Sequence, residues 1–242
     1  MLTEELLTYI FDGASHALAP AMTAWLAASR RYTEFVTTFR DKIRKKLRTT
    51  PDPENLLDLR LELETAYLLL QERRLTMAYE PLPPRATRSP DFAVTYTTSL
   101  TFMVEVTRLR AATLIGTTFQ PSLPPADERL VDTICGKLGQ LLPGQSNVLL
   151  MGVEQDVLSA VDLDATMRHI QQRAEQNDPA FFQRTHFRAR ADFFRQYQRL
   201  SEILVRATQE VAGPPLVWVN AQAKQPLTSK VRTALYRSHT RD

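Results

Sequence analysis

The chain has 242 residues, of which 43% are hydrophobic and 24% are charged, and its formal net charge is +3. This balance is typical of a globular domain and excludes a coiled coil or a largely disordered chain. A single cysteine excludes an internal disulfide framework or a cysteine-built metal cage, and 7 glycines leave little material for a glycine-rich phosphate loop.

Membrane and secretory segments are not expected either. No apolar run in the sequence approaches the roughly 20 residues that a membrane helix needs. The first residues, Met1–Glu5, are acidic where a secretory signal would be basic. We therefore expect a cytoplasmic protein with no membrane partner.

The first 50 residues are predicted to be helical. Apolar residues recur there at helical spacing in consecutive segments, namely Leu6, Leu7 and Ile10, then Leu18, Met22, Trp25 and Leu26, then Phe35, Phe39, Ile43 and Leu47. Much of the basic run RDKIRKKLR at 40–48 lies opposite the last stripe, as on a solvated helix face, and it would also suit a polyanionic partner. Because Thr49–Pro53 interrupts the pattern, we predict an N-terminal helical extension over 1–50 and a domain over 51–242.

Strands and helices follow one another in the predicted domain. In chain order the sequence predicts a helix over 54–73, a strand over 75–79, a loop over 80–89, a β-hairpin from alternating apolar residues over 92–106, a Pro-rich loop at 121–125, a helix over 126–142, a buried strand over 147–153, mostly helix over 163–200, strands over 203–207 and 216–220, and a short helix over 231–236. This order predicts an α+β or α/β fold in which helices flank a mixed β-sheet.

The hairpin brings two acids together. With a turn centred on Thr98, Asp91 lies directly opposite Glu105, and opposed residues have Cβ atoms roughly 4.5–5.5 Å apart. Carboxylates that close repel each other unless a cation lies between them, and Mg²⁺ is a natural candidate. The alternative is that Glu105 is an ordinary solvent-exposed residue.

A third acid lies on the helix before the hairpin. Glu62 borders the apolar face of that helix, whereas Glu64 points nearly the opposite way. Glu62 is therefore the better candidate to face the sheet. The alternative is that Glu62 only pairs with a nearby arginine.

This arrangement resembles the PD-(D/E)XK nuclease superfamily, which has the restriction-endonuclease-like fold. The matching features are Glu62 in the helical string ELETAYLLL, Asp91 after a proline, and the string EVT beginning at Glu105. The next helix and strand, DERLVDTICGKLGQLL and NVLLMGVE, suit the same core, so the resemblance covers about residues 54–153. It implies that Asp91 and Glu105 bind Mg²⁺ or Mn²⁺ at a scissile phosphate, with Glu62 as an auxiliary ligand.

The sequence departs from this motif at its last position, which is normally a lysine and here is Thr107. A positioned proton-transfer group is worth roughly 10²–10⁴ in rate, so its loss would weaken a nuclease. Lys137, at the border of the apolar face of the helix over 126–142, is a candidate substitute, with Gln140 as a weaker one. The alternative for Lys137 is a core-boundary lysine that extends its ammonium into solvent.

Other chemistries have little support. The histidines lack zinc-site spacing, and the sequence contains no serine-hydrolase elbow, Walker-type loop or dinucleotide fingerprint. Cys135 is predicted to be a small buried hydrophobic residue. The aromatic and arginine residues over 181–197 would suit single-strand binding, but they are more typical of an amphipathic helix packed on its own sheet.

The sequence therefore supports more than one hypothesis. The first is a Mg²⁺-dependent phosphodiesterase that acts on DNA, with Glu62, Asp91, Glu105, Thr107 and Lys137 as candidate site residues. The second is a nucleic-acid-binding or assembly module that kept the nuclease-like fold and lost the chemistry. The third is a protein-interaction domain whose N-terminal helices form the docking surface.

Overall fold

The computed structural model of the protein describes residues 3–50, 52–81, 89–110, 126–208 and 213–240. The helices in these ranges are α1 (Thr3–Ile10), α2 (Ala19–Ala28), α3 (Arg30–Thr49), α4 (Pro53–Gln71), α5 (Ala126–Leu138), α6 (Gln155–Ala160), α7 (Leu163–Glu175), α8 (Pro179–Thr185), α9 (Arg190–Tyr197) and α10 (Ser229–His239). The strands are β1 (Leu75–Tyr79), β2 (Phe92–Tyr96), β3 (Leu100–Arg108), β4 (Ser146–Val153), β5 (Leu200–Ala207) and β6 (Leu216–Val219).

All of these strands belong to one open, mixed six-stranded sheet with the order β1-β2-β3-β4-β5-β6. The first three strands form an antiparallel meander, β4 and β5 run parallel to β3, and β6 is antiparallel at the far edge. The connections between the parallel strands contain helices, as a parallel crossover requires. The prediction of a mixed sheet flanked by helices is therefore confirmed.

The sheet lies between two helical layers, because successive side chains of a strand point to opposite faces. On one face, Val104, Val148 and Leu150 join a hydrophobic cluster with residues of α1–α4 and α10. On the other face, Leu149 and Met151 join a second cluster with residues of α5 and α7–α9. The aromatic residues of 181–197 pack mainly in this second cluster, as predicted for an amphipathic segment.

The N-terminal helices share a hydrophobic cluster with the sheet. Their buried residues include Met22, Tyr32 and Ile43, and the same cluster contains Leu63 of α4 and Phe92 of β2. The apolar stripes of α1–α3 are therefore covered, so only the outer faces of these helices remain for the docking surface of the third hypothesis, which stays a prediction. The domain boundary predicted after residue 50 stays a prediction.

Helix α4 lies very close to the sheet. Asp52 caps its first turn by accepting a hydrogen bond from the Glu54 backbone N–H (3.1 Å). Farther along, a Cβ atom added to Gly152 of β4 would lie 2.6 Å from Cδ2 of Leu61. A glycine at this position therefore allows the helix its close approach.

The helical wheel of α4 did not predict that Glu64 is buried. Its Oε1 lies 2.5 Å from Nη2 of Arg206 in β5. The reason is that α4 is enclosed between the sheet and the N-terminal helices, so both of its sides are covered. A single apolar face on the helical wheel does not reveal this.

Most of the other predicted elements are confirmed to within a few residues. Helix α5 ends at Leu138 rather than at 142, directly before Gly139, which is a poor helix former. The short helix α6 was not predicted. The Pro-rich loop at 121–125 and most of the loop over 80–89 lie outside the described residues. Among the described helices, none is both long and apolar enough to cross a membrane.

Candidate active site

The hairpin has the register that the sequence predicts, because Phe92 pairs with Val104. Asp91 lies one residue before β2. Its carboxylate, rather than a backbone carbonyl group of β2, accepts a hydrogen bond from the Val106 N–H (2.6 Å). Its own carbonyl accepts a hydrogen bond from the Glu80 N–H (2.8 Å). These bonds fix the Asp91 side chain at the point where β2 begins, next to the C-terminal half of β3.

Glu105 has a lysine partner from the helical layer. It lies on the face of β3 that is directed towards α5, and it is buried. The Lys137 ammonium of α5 donates to Glu105 Oε1 at 2.8 Å. Gln140 Oε1 lies 3.4 Å from the same ammonium. Lys137 therefore does not extend freely into solvent, and the predicted convergence of Glu105, Lys137 and Gln140 is present.

Glu62 takes part in a second group of charges, on the α4 side of the sheet. Lys46 of α3 lies 2.6 Å from Glu62 Oε1 and also pairs with Glu80, to which Lys42 is bound at 3.2 Å. The Lys46 ammonium is 4.9 Å from the ring centre of Tyr79, within the range of a cation–π contact. Glu62 is thus paired with a lysine from the N-terminal helices, not with an arginine.

Both groups of charges affect the pKa of Asp91. Burial, followed by the negative charges of Glu105 and Glu62, raises the pKa of Asp91 to about 8, against the opposing effects of the Val106 amide and Lys137. Two mechanisms therefore act together, desolvation and like-charge repulsion. A carboxyl group whose pKa lies this far above its usual range, beside other acids, is typical of a functional site.

In the group of Lys46, Glu62 and Glu80, ion pairing outweighs burial in its effect on the pKa values. Burial lowers the pKa of Lys46, but the carboxylates of Glu62 and Glu80 outweigh it and raise the pKa overall. Burial likewise opposes the lowered pKa of Glu80, which Lys46 and Lys42 produce. The pKa of Tyr79 is raised by its burial and by the nearby negative charge of Glu62. The charges of this group are therefore balanced by lysines, whereas no cation of the described residues is bound directly to the Asp91 carboxyl group.

Thr107 lies on the same face of β3 as Glu105 and is partly exposed. Together with Lys137 and Gln140 it lines an open groove of about 440 Å³ between β3 and α5. Arg108 points to the other face of the strand, where it pairs with Glu54 and with Asp58 (3.1 Å) of α4. A threonine hydroxyl is thus the group that this chain presents to the groove at residue 107.

The donor chemistry of the site suits a divalent cation. In the described residues, only one oxygen of each carboxylate of Asp91 and Glu105 has a hydrogen-bond partner, which leaves the other as a hard donor of the kind that Mg²⁺ and Mn²⁺ prefer. Among those residues no group of three or more His, Cys, Asp or Glu side chains is arranged to hold a metal ion. Asp91 and Glu105 would therefore hold the cation, and Glu62 would join them only after leaving Lys46.

Sequence reasoning missed Lys46, Glu80 and Tyr79. Lys46 belongs to the basic run at 40–48, but a sequence pattern does not show that α3 packs beside α4 with this lysine directed at Glu62. The rest of that run is also largely paired, since Arg44 and Arg48 both bind Asp12. Cys135 is buried as predicted, and burial raises its pKa.

Comparison of the chain with known protein families, with curated proteins and with solved structures found no significant match.

Proposed function

We propose that this protein is a divalent-metal-dependent phosphodiesterase that acts on DNA and has a restriction-endonuclease-like core. One observation carries the proposal: Asp91, Glu105 and Lys137 converge where β2 and β3 separate, and the pKa of Asp91 is raised. The order of α4, the β1–β3 meander, α5 and the parallel strand β4 supports it, because it is the order expected for that core.

The chain's own residues would divide the work as follows. Asp91 and Glu105 would hold the cation, and the Val106 amide keeps the Asp91 carboxylate in place. A bound Mg²⁺ or Mn²⁺ would polarise the phosphate and lower the pKa of a water molecule. Lys137, already directed at Glu105, would stabilise the negative charge that develops on the phosphate oxygens. Thr107 would orient water or phosphate through its hydroxyl group.

A cleavage assay tests this function. Labelled single-stranded DNA and plasmid DNA are incubated with Mg²⁺ or Mn²⁺ and either the unaltered protein, Glu105→Gln or Asp91→Asn. Glu34→Gln, an isosteric change at an exposed acid of α3, serves as the matched control. We expect both site variants to lose at least about 100-fold in rate, as for the removal of a positioned catalytic group. Cleavage that persists unchanged in both variants would rule out this site.

The second candidate function is a nuclease-like module that binds nucleic acid without cleaving it. Thr107 favours this candidate, as do the two lysines that already neutralise Glu62 and Glu105. The Thr107→Lys variant separates the two candidates. A weak enzyme should gain roughly 10-fold or more in rate when the proton-transfer group is restored. A binding module should remain inactive while still retaining labelled DNA in a salt-dependent manner.

A further inference from the structure

The groove between β3 and α5, beside Asp91 and Glu105, contains several basic residues. The charged and small residues of its lining include Arg110, Arg129, Asp132, Gly136 and Lys137. Asp132, the carboxylate in this lining, is neutralised by Arg184 at 2.5 Å. The basic residues of the groove include Arg110, Arg129 and Lys137, and of these three only Arg129 has no carboxylate partner among the described residues.

Arg129 differs from the other cations of the groove. Arg110 pairs with Asp58 of α4, and Lys137 pairs with Glu105. Arg129 donates to the Arg110 carbonyl oxygen at 2.8 Å, its Nε is buried without an acceptor, and no carboxylate of the described residues lies within ion-pair distance of it. A backbone contact thus holds the Arg129 guanidinium in the groove wall. Its positive charge is available to bind an anion from outside the chain.

The groove-lining residues of α5 form one stripe. Arg129, Thr133, Gly136 and Gln140 follow at steps of three and four, which places them on one face of a helix and its continuing turn. At a rise of about 1.5 Å per residue, Arg129 and Lys137 are separated by about 12 Å along the helix. A nucleic-acid strand carries one charge per roughly 3.4 Å of axis in a duplex, so this length spans several phosphates.

Gly136 leaves a notch in the middle of the stripe. A Cβ atom added to it would meet no atom within 4 Å, and the residue is exposed on the groove side of α5. Nothing in the packing of the described chain therefore requires a glycine here, and in a helix a glycine costs about 1 kcal/mol relative to alanine. A glycine at position 136 is explained if the groove admits the backbone of a ligand close to the helix.

We propose that the groove between β3 and α5 binds the phosphate backbone of one DNA strand, with Arg129 as a phosphate contact and Gly136 as the point of close approach. The inference rests on the proposed function because it names the path by which a strand would reach Asp91 and Glu105. It concerns binding, so it can be tested without cleavage.

The experiment measures fluorescence anisotropy of a labelled single-stranded DNA oligonucleotide with the full-length chain in EDTA, at several salt concentrations. The variants are Gly136→Leu, which fills the notch and favours the helix, and Arg129→Gln, which removes one charge. Ala24→Leu on α2 is the matched control, because it adds a leucine at an exposed helical position that is distant from Gly136 in the sequence. Thermal unfolding of each variant verifies that it is folded.

We expect Gly136→Leu to weaken binding by about tenfold or more, because the leucine side chain would occupy the point where the DNA backbone approaches the helix. Arg129→Gln should reduce the slope of log K against log salt by about 0.7, the contribution of one phosphate on a single strand. Unchanged binding in both variants would overturn the proposal. Competition by inorganic phosphate as effective as that by the oligonucleotide, per phosphate, would also overturn it, because it would indicate a site for a small anion. If cleavage fails but these binding effects appear, the proposed enzyme is wrong and the groove stands.

Discussion

Asp91 is held where both burial and its neighbours disfavour its charge. Its pKa is raised to about 8 by burial and by Glu105 and Glu62, whereas an aspartate in an unfolded chain titrates near about 3.9. Between these two values the folded chain binds a proton that the unfolded chain has lost. The free energy of unfolding therefore falls as the pH rises from about 4 to about 8, and it levels off above that.

The Asp91→Asn variant tests this balance. Asparagine keeps an acceptor for the Val106 N–H but never carries a charge. We expect the variant to gain stability relative to the unaltered chain as the pH rises, by up to about 4 kcal/mol between pH 5 and pH 9. Urea unfolding at these two pH values, in EDTA, measures the gain. An equal stability difference at both pH values would contradict the raised pKa.

Lys137 stabilises the charge of a buried neighbour. Its ammonium is 2.8 Å from Glu105, whose side chain is only 10% exposed. Replacing the lysine by methionine leaves a buried carboxylate without its cation, which we expect to cost roughly 1–3 kcal/mol at pH 8. Denaturant unfolding of Lys137→Met measures this cost. The double variant with Glu105→Gln should recover most of it, and a purely additive result would show that the two residues do not interact.

At the scale of the elements, α4 depends on a glycine in the strand beneath it. Because a Cβ atom at residue 152 would lie 2.6 Å from Cδ2 of Leu61 and 2.7 Å from Cγ2 of Thr208, Gly152→Ala must displace these side chains or the elements that carry them. We expect a loss of about 1–3 kcal/mol in the free energy of unfolding, typical of overpacking. Chemical denaturation measures it, with Gly136→Ala as a control at an open position that should not destabilise the protein. A loss of the same size in the control would point to a backbone effect instead.

The elements around the hairpin could be predicted from the sequence because local rules determine them. Alternating apolar residues set the strands, and the short turn near Thr98 fixed the register that joins Phe92 to Val104. The Asp91–Glu105 proximity follows directly from that register. Lys137 could be proposed from the helical wheel of α5 alone, since only one helix had to pack on β3.

What the sequence could not predict depends on packing between distant segments. Glu64 is buried because α4 has the sheet on one side and the N-terminal helices on the other, and its partner Arg206 is far away in the chain. Lys46 reaches Glu62 only because α3 lies against α4. Neither pairing leaves a periodic signal, since periodicity reports one face of one element and not which element covers it.

At the scale of the whole molecule, the N-terminal helices contribute to both the core and the charges near the candidate site. Trp25, Tyr32 and Phe35 belong to the same cluster as the residues of α4 and β1–β3, and Trp25 stacks on Tyr67 of α4 with ring centres 5.8 Å apart. Lys46 adds a charged contact to this interface. A chain without these helices would expose a large apolar area on α4 and leave Glu62 without its cation.

We therefore expect a chain limited to residues 51–242 to lose cooperative unfolding and to aggregate. The physical reason is that removing α1–α3 uncovers the α4 side of a shared hydrophobic cluster, and hydrophobic burial is the dominant favourable term in folding. Circular dichroism melts and size-exclusion chromatography of the truncated and full chains measure the difference. Adding residues 1–50 as a separate peptide should restore part of the stability, because the contacts are not covalent. A truncated chain that stays monomeric and melts cooperatively near the temperature of the full chain would instead establish residues 51–242 as an independent domain.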